Sequence, residues 1–156
     1  MPLASRPRSD LRAGALVFAR HCTPHPMSTS RQRHSTGAPW EPIVGYSRAV
    51  RVGNRILVSG TTAVDEAGEV IAPGAAFEQA RYSFEKALVA IRALGGTPEA
   101  VVRTRMYVVD IAANNEAVGR AHKQTVGAAM PAATMVGVAA LIDARLVVEI
   151  EVEAIL

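Results

Sequence analysis

The run from Leu146 to Ile155 sets Leu146, Val148, Ile150, Val152 and Ala154 against Glu149, Glu151 and Glu153 in strict alternation. Side chains point to opposite faces along a strand, so this run reads as a strand with one apolar and one acidic face. The apolar face has to be covered. The acidic face has to find positive charge, because three carboxylates two residues apart repel one another. Val101 to Val109 is a second β-rich run, with Arg103, Arg105 and Tyr107 on one face and Val102, Met106 and Val108 on the other. Its two arginines can neutralise two of the three acids across a sheet. One reading makes the ladder a charge-paired face between subunits; the other makes one of its acids a base that activates water.

Earlier elements fit the same plan. Tyr46 to Val52 and Arg55 to Gly60 flank Gly53-Asn54, a pair that tolerates positive φ, and read as a hairpin. Asp65-Glu66-Ala67-Gly68 marks a turn. After Pro73-Gly74, a helical pattern places Phe77, Ala80, Phe84, Ala87, Leu88 and Ile91 on one face, with Arg81 and Glu85 paired on the polar side. Gly95-Gly96 stops it, and Thr97-Pro98-Glu99 opens the next unit. A second helix is expected from Asn114 to Gly127, carrying Ala117, Val118, Ala121 and Val126 inward, and Thr134 to Leu141 reads as a further strand. The order is β-β-α-β-α-β-β, an α+β domain with two helices packed on one face of a mixed sheet. Its other face needs cover, and oligomerisation is the economical way to supply it.

The charge is unevenly placed. Up to Thr36 there are six arginines against one aspartate, a net of +5, while the remainder has 11 bases against 13 acids, a net of −2. The basicity therefore belongs to residues 1–36, which show no sustained period and are expected to be a disordered extension. Residues 37–156 form the domain, with order beginning near Trp40. Its slightly acidic balance, few aromatics and lack of a basic stripe argue against nucleic acid as a partner. Cys22 is the one cysteine, which excludes a disulfide framework and suits a reducing cytoplasm. No segment approaches the run of about 18 apolar residues that a membrane span requires.

Several chemistries lack their motifs. Val58-Ser59-Gly60 has no nucleophile-elbow pattern, and Gly95-Gly96 follows a helix instead of preceding one, so no phosphate loop is formed. His21, His25 and His34 lie in the extension. His122 stands alone on a helix without a second ligand at metal spacing; no metal site is expected, and it reads as a helix-surface or interface residue.

Together the motifs resemble the RidA/YjgF family. Gly45-Tyr46-Ser47-Arg48-Ala49-Val50, Gly53-Asn54 and Val58-Ser59-Gly60 are similar to that family's opening hairpin. Gln79-Ala80, Gly95-Gly96, Val101-Val102-Arg103-Thr104 and Tyr107-Val108-Val109-Asp110 are similar to its middle. Pro131-Ala132 and Val148-Glu149-Ile150-Glu151 are similar to its end. The resemblance implies a chorismate-mutase-like fold, assembled as a homotrimer with small-molecule clefts between subunits. It also implies hydrolysis of reactive imines or enamines without a cofactor, the protein supplying position and charge. By the same resemblance Tyr46 and Gly60 border the ligand, Glu149 positions the attacking water, and Ala133 with Thr134 lies where substrate is held. Ala133 stands where archetypal members carry an arginine that clamps a carboxylate, and alanine has no donor. The family's activity is therefore expected to be altered here, towards a different substrate or towards binding alone; ribonuclease action, suggested for some relatives, is the weaker alternative.

Overall fold

A computed structural model describes residues 30–156 of the chain. Most of the expected extension, with Cys22, His21 and His25, lies outside the described residues. Its last part does not fit that expectation. Arg31–His34 is a strand, β1, followed by a short helix, α1 (Trp40–Val44), and the hairpin β2 (Ala49–Val52) and β3 (Arg55–Thr61). The long helix α2 (Ala76–Ala93) leads to β4 (Val101–Val109), helix α3 (Ile111–Val126), β5 (Ala132–Val138) and β6 (Val148–Ile155). The strands make one sheet in the order β1-β2-β3-β6-β4-β5. Only β4 and β5 run parallel; every other pairing is antiparallel.

Arg31–His34 has no apolar alternation, so nothing in its side chains announces a strand. It is held by the backbone ladder that pairs Arg31 with Val52 and His34 with Ala49. A charged edge strand of this kind suits a sheet margin, since arginines discourage further pairing with other chains. The segment that follows is tied down at Glu41, whose Oε1 accepts the Thr36 backbone N–H at 3.0 Å and the Thr36 hydroxyl at 2.9 Å.

Helices α2 and α3 cover one face of the sheet. Ala80, Phe84, Ala87 and Ile91 of α2 are fully buried, as are Val118 and Ala121 of α3. They meet Val148, Ile150, Val152 and Ala154, the apolar side of the alternating run. Leu146 is buried too, although it lies just before β6. Gln79, fully buried on α2, closes the loops at one end of this layer. Its Nε2 donates to the carbonyls of Ala72 and Arg145, at 3.1 and 2.9 Å, and its Oε1 accepts the Val147 N–H at 2.8 Å.

Four expectations shift in detail. Val102 was expected on the core side of β4, but a register irregularity between Val101 and Arg103 sends Val101 into the core and Val102 outward. A bulge inserts one residue and so exchanges the faces on either side of it. Helix α3 begins three residues before Asn114, after Asp110 in a left-handed conformation, and the Asn114 side chain donates to the Val109 carbonyl at 2.8 Å. Strand β5 ends at Val138, short of Leu141. His122 is not a surface residue: it is half-buried, 3.0 Å from the Thr104 hydroxyl and edge-on to Phe84.

Candidate functional site

The sheet face opposite the helices carries the charged ladder. Its register places Arg103 against Glu153, Arg105 against Glu151 and Tyr107 against Glu149. Arg105 lies 3.1 Å from both Glu151 and Glu153, and Arg55 adds a contact to Glu153 at 3.3 Å. Glu149 has no such partner among the described residues. Burial raises the pKa of its carboxyl, the Glu151 charge raises it further, and Arg48 pulls it back down. Two acids are thus paid off by arginine and the third is left more basic than usual.

Gly60 explains how that third acid is accommodated. A Cβ built at position 60 would overlap Glu149 Oε1 and stand 3.0 Å from its Cδ, so only a glycine leaves the carboxylate its place. The register irregularity between Val58 and Thr61 lies at the same point of β3. Beside it, Arg48 is only 7% exposed. Its guanidinium donates to the Gly60 carbonyl at 2.6 Å and lies 5.6 Å from the centre of the Tyr46 ring. Burial lowers the pKa of this arginine, opposed by the charges of Tyr46, Glu41 and Glu149. The Nε atom of Arg48 is buried without a hydrogen-bond partner.

Of the residues singled out from sequence, the fold therefore gathers Tyr46, Gly60 and Glu149 around Arg48. Ala133 and Thr134 stand apart. They lie exposed on the edge strand β5, opposite Thr104 and Arg105, whereas Glu149 faces Tyr107 and, beyond it, Val136. That separation is two strand spacings, about 10 Å, across the sheet, and about two residues, roughly 7 Å, along it. Arg48 is the member that sequence reasoning passed over. It sits just before β2 begins, where no alternation marks it as inward, and its burial depends on Gly60 from the neighbouring strand.

A cavity of about 510 Å³ opens beside Tyr46, where β1 and β2 meet the segment after α1. Among the described residues no helix is long and apolar enough to cross a membrane. Nor do three His, Cys, Asp or Glu side chains come together there in a way that could hold a metal ion.

Comparison with known proteins locates this arrangement among relatives. Residues 36–156 match the family model described as endoribonuclease L-PSP. An uncharacterised protein of Streptomyces coelicolor is 38% identical over 128 residues, 81% of this chain and 93% of its own length. The crystal structure of Rv2704 from Mycobacterium tuberculosis, a member of the YjgF/YER057c/UK114 family, is 40% identical, with a TM-score of 0.70 over 81% of this chain and all of that one. A protein of unknown function from Pseudomonas aeruginosa, PA3499, is 31% identical, with a TM-score of 0.70 over 82% of this chain and 94% of its own.

Proposed function

The chain belongs to the YjgF/RidA family, and from that premise we propose that it forms a trimer whose intersubunit cleft binds a small metabolite and hydrolyses it at a C–N bond, with Glu149 as the base. Glu149 carries this reading. It is the one acid of the ladder without a salt bridge to arginine among the described residues, and it sits in a gap that Gly60 keeps open. Its raised pKa suits a group that takes a proton from water. In such a step the water oxygen bonds to the carbon of a C=N group and the π electron pair moves to nitrogen. One water proton passes through Glu149 to nitrogen, giving a carbinolamine; the hydroxyl proton then follows by the same carboxylate, the C–N bond breaks, and ammonia departs as the carbonyl forms.

Two observations support the trimer. Leu57 and Val136 are each 41% exposed on the helix-free face and Ile155 is 45% exposed at its margin, so exposed apolar side chains flank the charged ladder. Ala133 and Thr134 also lie too far from Glu149 to share a small ligand within one chain, whereas β5 of a second copy could approach it. Sedimentation of the purified chain should give three times the monomer mass, and Leu57→Asp should shift it towards monomer.

Ala133 favours a second reading, binding without turnover, because a methyl group cannot clamp a carboxylate. Ammonia release from a panel of imines and enamines, 2-aminoacrylate among them, separates the two. Turnover that Glu149→Gln abolishes supports hydrolysis. Saturable binding of keto acids with no turnover, unchanged in Glu149→Gln, assigns a binding protein. RNA cleavage lost in Glu149→Gln would instead favour the ribonuclease alternative.

A further inference from the structure

Strand β1 brings two guanidinium groups to the cavity beside Tyr46. Arg31 and Arg33 are two residues apart, so their side chains leave the same face of the strand, and both line the cavity. Neither makes a salt bridge among the described residues, whereas Arg55, Arg103 and Arg105 on the ladder are all paired with acids. Edge-strand arginines can serve only to discourage aggregation. That role does not require them to converge on a concavity, nor to do so beside further donors. Tyr46 and Ser47 line the same cavity, and neither side-chain hydroxyl has a hydrogen-bond partner among the described residues. Ser59 differs, since its hydroxyl is already committed to the Ser47 carbonyl at 2.7 Å.

The one acid on the wall is Glu41. Its single negative charge cannot offset two guanidinium groups, and its carboxylate takes its hydrogen bonds from the Thr36 N–H and hydroxyl instead of from either arginine. The wall therefore keeps a surplus of positive charge and of hydrogen-bond donors. Its volume falls within the range of about 300–1,000 Å³ usual for small-molecule sites.

We propose that Arg31 and Arg33, with Tyr46 and Ser47, form an oxyanion-binding subsite for a small metabolite that carries a compact doubly charged head, a phosphate or a dicarboxylate. Guanidinium groups suit this task because they present planar pairs of donors and remain charged at any physiological pH. Tyr46 joins the subsite to the Glu149 region, so the proposal extends the metabolite-binding reading given above and rests on it for the ligand's reactive end alone. Recognition of the anion itself does not involve Glu149.

Amide-resolved NMR titration of the full chain with inorganic phosphate, and separately with malonate, tests it. The expected result is saturable shifts at Tyr46, Ser47 and Val50, with a preference between the two anions that identifies the head. Arg31→Gln and Arg33→Gln should each weaken binding by roughly tenfold, the scale of one charge-assisted contact. Arg92→Gln, the same charge loss on exposed α2, should leave binding unchanged. Equal affinity in the wild type and the doubly substituted chain, or shifts located away from these residues, would overturn the subsite. Loss of all turnover with anion binding intact would instead remove the hydrolytic reading and leave the subsite standing.

Discussion

Glu149 Oε1 occupies the space that a side chain at position 60 would need, so Gly60 and Glu149 form a matched pair across β3 and β6. The pairing has an energetic asymmetry. The atom in the way is the far end of a flexible side chain, which can rotate aside, and not backbone. Gly60→Ala should therefore cost little stability, about 1 kcal/mol or less, below the usual range for overpacking. It should nevertheless displace the carboxylate and remove whatever binding or turnover depends on it. Thermal unfolding and ligand binding measured on the same sample check this. A large drop in Tm, or unchanged function, would show that the carboxylate position is not what the glycine protects.

A carboxyl with a raised pKa lowers stability when it ionises. Because the folded-state pKa of Glu149 lies above its unfolded value, the folded form binds the proton more readily. The native state is favoured at low pH, and that advantage is lost as pH rises from the ordinary carboxylate range through the raised value. Glu149→Gln should accordingly raise Tm at neutral pH, with the gain shrinking as pH falls from the raised value through the ordinary carboxylate range. A gain independent of pH would argue that packing, not charge, is responsible.

His122 has the opposite linkage. Burial against Phe84 and Thr104 lowers its pKa below the ordinary value of 6.5, so the folded state resists protonation. Its contribution is complete above that value and declines as pH falls through 6.5 towards the lowered folded-state value. His122→Gln should be less stable than wild type at pH near 8, and the difference should narrow in mild acid. Paired Tm measurements across that window give the result directly.

The sheet was legible because the neighbouring strands β4 and β6 are written twice, once as apolar alternation and once as complementary charge. Glu151 and Glu153 demand arginines, Arg103 and Arg105 supply them at the same spacing, and the register joins them. β1 left no such trace, since a strand held by backbone bonds at an edge needs no particular side chains. The reversal at Val102 was equally hidden, because a bulge changes facing without changing composition. At the site, Tyr46, Gly60 and Glu149 came from resemblance, and their convergence depends on the pairing of β3 with β6. Arg48 could not be read as buried: an arginine is expected outside, and the Gly60 carbonyl and the Tyr46 ring that hold it inside meet it only in the folded chain.

Gln79 tests whether the helix layer holds the loops in place. Its amide is fully buried and saturates three backbone groups, from Ala72, Arg145 and Val147, in two segments far apart in sequence. Gln79→Leu conserves most of the volume but orphans the buried Val147 N–H, while the Ala72 and Arg145 carbonyls keep only their bonds from the Ala75 and Gly74 N–H groups. One orphaned buried group costs about 1–3 kcal/mol, so a loss of about 2 kcal/mol is expected. Chemical denaturation should show a lower midpoint, and hydrogen exchange should show the Val147 amide losing protection while central amides of β4 keep theirs. If Val147 remained protected, the amide would be a packing residue and the two loops would be held by their own backbone bonds, such as Gly74 N–H to Arg145 carbonyl at 3.0 Å.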